Sequence, residues 1–120
     1  MTTDYPARPS LPPIVCAPWC TVGDGHPHEY SEGDQVCWGD TSDSSYVHPS
    51  HEPVALEPSG AWLTRVGAMA HRGFGEEPLV YLHVERFRPH HDISVQLTPD
   101  EGRQLAARLR EVADEIDGRS

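Results

Sequence analysis

The chain has 120 residues, a formal net charge of −10 and a mean hydropathy of −0.56. A single small domain is expected, one in which surface burial alone leaves stability marginal. Its nine cationic residues are all Arg and are scattered, which disfavours the counterion release that nucleic-acid binding needs, and no apolar run is long enough to span a membrane.

The N-terminus lacks the basic start and hydrophobic stretch of a signal peptide, so a cytoplasmic location is expected. Three cysteines are an odd number, and a reducing compartment favours thiolates available for a metal over a disulfide framework. Lys and Asn are absent while Ala, Gly, Pro and Arg are plentiful, a bias that suggests a GC-rich coding genome.

In chain order, residues 1–13 carry four prolines and few apolar side chains, which predicts a flexible proline-rich arm. Residues 14–120 are expected to form one small domain. Its first part, residues 14–54, is dense in Gly, Asp and Ser and carries Cys16-Ala-Pro-Trp-Cys20, then His26, His28, Cys37, His48 and His51. Thiolates and imidazoles in a turn-rich segment suit a zinc site, and a short chain gains most from such a cross-link.

Residues 55–97 read as strands. Ala61-Trp-Leu-Thr-Arg-Val66 lies between Pro58-Ser-Gly60 and Gly67. In Leu79-Val-Tyr-Leu-His-Val-Glu85, Val80, Leu82 and Val84 share one face while Tyr81, His83 and Glu85 share the other. A polar connection with Pro89 follows, and then Ile93, Val95 and Leu97 alternate with Ser94 and Gln96.

Residues 98–117 predict a helix. Thr98-Pro-Asp-Glu101 supplies an N-cap, a proline at the first helical position and a capping-box glutamate. Leu105, Leu109, Val112 and Ile116, with Ala106 and Ala113, form one apolar stripe, and Gly118 ends the run. The fold class expected is therefore α+β: a small antiparallel sheet of about three strands covered by one C-terminal helix, with an N-terminal Cys/His zinc-binding loop region.

Cys16 and Cys20 are separated by three residues, within the range of structural zinc modules. The second ligand pair would combine His26 or His28 with His48 or His51. Cys37 can replace a histidine in a three-sulfur site, but its Val36-Cys-Trp38 setting equally suits a small buried strand residue, and that reading is preferred. His71, His83, His90 and His91 are read as surface or hydrogen-bonded histidines.

These residues resemble a family. Cys16-Ala-Pro-Trp-Cys20 with a following His, an acidic stretch, Val47-His48-Pro, and Leu97-Thr-Pro-Asp-Glu101 leading into Leu105-Ala-Ala-Arg-Leu109 are similar to features of small actinobacterial or actinophage proteins of uncharacterised role. Those proteins carry an N-terminal Cys-Pro-x-Trp-Cys-like zinc motif and a C-terminal Leu-Thr-Pro-x-Glu helix. The resemblance implies a zinc-binding protein with Cys16, Cys20, His26 and His48 as the metal ligands. Here Ala17-Pro18 stands where the proline would directly follow Cys16, and the gap from Cys20 to His26 is longer, which leaves the choice between His26 and His28 open.

Catalytic motifs are scarce. No His-Glu-x-x-His, no deaminase signature and no Gly-x-Ser-x-Gly occurs, and Gly73-Phe-Gly75 lacks the strand-to-helix context of a phosphate loop. Trp19, Tyr30, Trp38 and Tyr46 among polar residues suggest an acidic contact surface. The function expected is a zinc-stabilised protein-interaction or regulatory module with a protein partner, no nucleic acid and no membrane. The alternative is a small zinc-dependent or thiol enzyme.

Overall fold

The computed structural model describes residues 10–52, 55–57, 60–62, 64–86 and 91–118, and for residues 55–57, 60–62 and 91 only the backbone. Most of the predicted proline-rich arm and the Pro89 connection lie outside the described residues. The elements are β1 (Cys37–Trp38), β2 (Tyr46–Val47), β3 (Ala55–Glu57), β4 (Gly60–Trp62), β5 (Arg65–Arg72), β6 (Leu79–Arg86), β7 (His91–Leu97) and α1 (Pro99–Ile116). Two short 3-10 turns, Glu32–Asp34 and Asp43–Ser45, interrupt the loop region.

The fold is α+β, an antiparallel sheet followed by one C-terminal helix. The two alternating runs become β6 and β7, which follow β5 in the order β5-β6-β7, with Ala68 opposite Leu82 and Leu82 opposite Val95. Two short strands from the loop region enlarge this sheet: β1 pairs with the Arg72 end of β5, and β2 pairs with β5 at Gly67 and Val66. Asp40 shapes the turn between them, accepting from the Ser42 N–H at 2.8 Å and the Ser44 hydroxyl at 3.2 Å. The Ser42 hydroxyl first, then the Ser42 N–H and the Ser44 hydroxyl, lower the Asp40 carboxyl from its ordinary value.

The first predicted strand is divided. Gly60–Trp62 pairs with β3 in a separate two-stranded sheet, and β5 begins at Arg65 and runs on to Arg72. Gly67 therefore sits inside a strand where the sequence suggests a boundary. Its role is clearance: a Cβ there would lie 2.5 Å from the Tyr46 ring, so only glycine lets that ring lie across β5.

α1 has the expected start. The Glu101 N–H donates to the Thr98 hydroxyl at 3.2 Å, and the Thr98 N–H donates to the Glu101 carboxylate at 2.8 Å. The expectation that the helix covers the sheet is corrected. Only Thr98 separates β7 from α1, too short a link to reverse the chain over the sheet, so α1 meets the sheet at its first turn, where Gly102 packs on Val80. Beyond it the apolar stripe leaves the sheet, and Leu109 and Ile116 are 62% and 81% exposed.

Side chains on opposite sheet faces differ in kind. Val66, Ala68, Val80, Leu82, Val84 and Val95 lie on one face by register. Met69, His71, Tyr81, His83 and Asp92 lie on the other, where Trp38 and Tyr46 join them. Among the described residues, the buried apolar side chains are Ala17, Cys37 and Met69, a small core for so many strands.

Candidate metal centre

Cys16 and Cys20 bracket a tight turn closed by the Cys20 N–H donating to the Ala17 carbonyl at 3.0 Å. The chain then bends through Gly25 and His26, whose φ angles of 83° and 53° are left-handed. A Cβ on Gly25 would lie 2.8 Å from the Pro13 Cβ and 2.9 Å from the Ile14 carbonyl oxygen, so that close approach also requires glycine. Residues 10–14 are tied alongside, with the Leu11 N–H donating to the Pro27 carbonyl at 2.7 Å and the Ile14 N–H to the Gly25 carbonyl at 2.9 Å.

This loop aims the buried His26 inward. The Asp24 carboxylate accepts from the His26 N–H at 2.8 Å, and the fully buried Gln35 amide donates to the carbonyls of His26 and Pro12, each at 2.9 Å. The His26 Nε2 lies 3.4 Å from the Cys20 Sγ and 3.8 Å from the Cys37 Sγ. On the far side of the ring, Nδ1 lies 3.9 Å from a Glu29 carboxylate oxygen.

Cys16, Cys20, His26 and Cys37 each present one ligand atom, and the four atoms all lie within 4.8 Å of one another. Such a set can hold a metal ion. Three of the ligands implied by the family resemblance thus converge, and the fourth place is taken by Cys37 rather than His48. His48 Nε2 instead lies 2.9 Å from Asp43 in the turn before β2. Of the remaining candidate histidines, His28 lies at the surface 3.4 Å from the Ser10 hydroxyl, and His51 is on an exposed turn.

Cys37 is the buried strand residue expected, and it is also a member of the cluster. It is in a strand and wholly buried. The same register places it opposite Arg72, whose guanidinium lies 3.7 Å from its sulfur and also donates to the Val15 carbonyl. Gln35, Gly25 and Arg72 carried no local motif that marks them as parts of a site.

The thiols are electrostatically distinct. Burial pushes the Cys20 thiol up, but the N–H groups of Gly23 and Val22, with His26 and Cys37, outweigh it and bring the thiol down to about 6. Cys16 moves up: burial raises it, the Gly25 N–H at 3.2 Å opposes, and the Cys37 and Cys20 thiols raise it further. Neighbouring sulfurs cannot all ionise without a cation between them, so a dication would favour the thiolate form of every one.

Among the described residues, no helix is long and apolar enough to cross a membrane. No curated protein and no solved structure matches the chain. Over residues 2–120 the sequence matches the family described as a domain of unknown function (DUF6907), and the chain belongs to that family.

Proposed function

We propose that the chain is a zinc-stabilised protein-interaction or regulatory module in which the centre formed by Cys16, Cys20, His26 and Cys37 is structural. The observation that carries this reading is the convergence of three sulfurs and one imidazole nitrogen within 4.8 Å of one another. Sulfurs about 2.3 Å from a tetrahedral zinc lie about 3.8 Å apart, a spacing compatible with this cluster. Thiolate and imidazole donors suit zinc and disfavour magnesium or calcium, which take oxygen ligands.

Zinc bound there would cross-link the first turn, the His26 loop and β1. Three thiolates and a neutral imidazole around a dication leave one net negative charge, and the Arg72 guanidinium beside Cys37 offsets it. Four protein ligands fill a tetrahedral site, the pattern of a structural centre, whereas hydrolytic zinc keeps a position open for water. The strongly acidic chain favours a protein partner over nucleic acid or an anionic membrane.

A thiol enzyme is the second reading, favoured by the Cys20 thiol near 6 and its contact with His26. Native mass spectrometry with elemental analysis, before and after chelation, separates the two. One zinc per chain is expected, with Cys37→Ser weakening zinc retention at least about tenfold and His48→Ala leaving it unchanged. A folded, metal-free protein in which iodoacetamide modifies Cys20 rapidly would overturn the structural-zinc reading in favour of the enzyme.

A further inference from the structure

On the aromatic face of the sheet lies a cleft of about 530 Å³ lined by Trp38, Tyr46, Met69, Tyr81, His83 and Asp92 among others. Its rings do not lie flat on one another. Trp38 and Tyr81 meet at 79° with centroids 5.0 Å apart, and Tyr46 and His83 meet at 71° with centroids 6.0 Å apart. Rings crossed in this way make corners whose walls present π faces as well as edges. Such faces are electrically negative and attract cations.

A carboxylate reinforces that polarity. Asp92, 55% exposed, stands at the mouth and lies 2.5 Å from His83 Nε2. Because a carboxylate only accepts, Nε2 carries the proton, and in the neutral ring Nδ1 then accepts from the Tyr46 hydroxyl at 3.1 Å. The relay fixes Tyr46, His83 and Asp92 relative to one another. One lining ring already holds a cation: the Arg65 guanidinium, paired with Glu85 at 3.3 Å, lies over one face of Tyr46 at 4.1 Å from its centroid, which leaves Trp38, Tyr81 and the other face of Tyr46 for a ligand.

We propose that this cleft binds an alkylated ammonium group. The choice among cations follows from the walls. A primary ammonium brings three donors that need acceptors, and a guanidinium brings five. The Tyr46 and Thr21 hydroxyls give their protons to His83 and, at 3.2 Å, to the Trp38 carbonyl, so their oxygens and that of Thr41 accept only as neutral groups, and Met69 and Val22 are apolar. Asp92 is the one carboxylate among the described lining residues and His83 engages one of its oxygens, so a primary ammonium would exchange water for mostly neutral acceptors and ring faces. A trimethylammonium group needs no hydrogen bonds, fills an aromatic corner with methyl groups and keeps its charge. The chain's net charge of −10 draws such a ligand in.

This proposal deepens the interaction-module reading by giving the partner a chemistry, and it does not depend on which metal fills the centre. The group has two sources, a free small cation or a trimethylated lysine side chain on a protein. The test titrates the metal-loaded protein, its zinc content measured on the same sample, with choline, with its neutral isostere 3,3-dimethyl-1-butanol, and with a short peptide carrying trimethyllysine or unmodified lysine. The readouts are ring-current shifts of the probe methyl protons and shifts of the Trp38 amide and indole resonances.

Choline is expected to bind at least about tenfold more tightly than the isostere. Tyr81→Leu should weaken binding by a similar factor, Tyr81→Phe should retain it, and Asp92→Asn, at the exposed mouth where folding is not at risk, should weaken it severalfold. A free small cation is the source if choline alone suffices. Binding of the trimethyllysine peptide well above both choline and unmodified peptide supports the proposal with a protein source. Equal binding of choline and isostere, binding undiminished in both Tyr81→Leu and Asp92→Asn, or no binding of either methylated probe to folded, metal-loaded protein would each overturn it. In the last case the metal content shows that the structural-zinc reading survives.

Discussion

Cys20 and Cys37 show how differently two cysteines can be marked in one chain. Cys20 lies four residues after Cys16, and a pair that close reads as a ligand turn wherever the chain goes next. Cys37 has no such neighbour, and its role depends on β1 pairing with β5, which brings it back against His26. The Cys20 ionisation near 6, against an ordinary 9.0, has a consequence for stability. Between those values the unfolded chain holds a proton that the folded chain has released. The stabilising contribution is therefore full above pH 9 and is lost as pH falls through 6. In the metal-free protein, urea denaturation should show stability increasing from pH 6 to pH 9, and Cys20→Ser should flatten that slope relative to the parent. A slope unchanged in the variant would assign the effect to other groups.

Among the elements, β6 and α1 are the ones whose internal patterns matter most. The alternation in β6 separates Val80, Leu82 and Val84 from Tyr81 and His83, and the sheet keeps that division, with the aromatic side forming the cleft. The pattern in α1 is as regular, yet its stripe is largely exposed because the one-residue link to β7 directs the helix past the end of the sheet. Two substitutions separate these contributions. Thr98→Ala removes one half of the capping box and is expected to cost about 1 kcal/mol in a chemical melt. Leu109→Asp, at a position 62% exposed, should shift the same melt by no more than about 0.5 kcal/mol. A larger loss at Leu109 would show that the stripe is covered in solution.

Across the whole molecule, the described N-terminal residues are held differently from the sheet. Residues 10–52 contribute only two short strands, and their order derives from turns, backbone hydrogen bonds and the Cys/His cluster. Chelation is therefore expected to raise hydrogen exchange strongly at Cys20, Thr21 and Gly25, whose N–H groups are bonded within or beside the cluster. Amides of β6, between β5 and β7, should keep most of their protection. Mass-resolved exchange on metal-loaded and stripped protein checks this. Uniform loss of protection would mean that sheet and centre fold as one unit, and no change would mean that the loop region holds itself without metal.

What the sequence determined by itself is whatever depends on near neighbours: the Cys16–Cys20 turn, the alternation of β6 and β7, and the capped helix beginning at Pro99. Each is set by side-chain period or by hydrogen bonds spanning a few residues. The tertiary structure alone decided the fourth member of the Cys/His cluster, the clearance role of Gly67, the exposure of the helix stripe and the cleft between Trp38 and Tyr81. These depend on register between strands distant in sequence. The short runs at Cys37–Trp38 and Tyr46–Val47 carry too little pattern to announce a register that the ladder of β5 imposes on them.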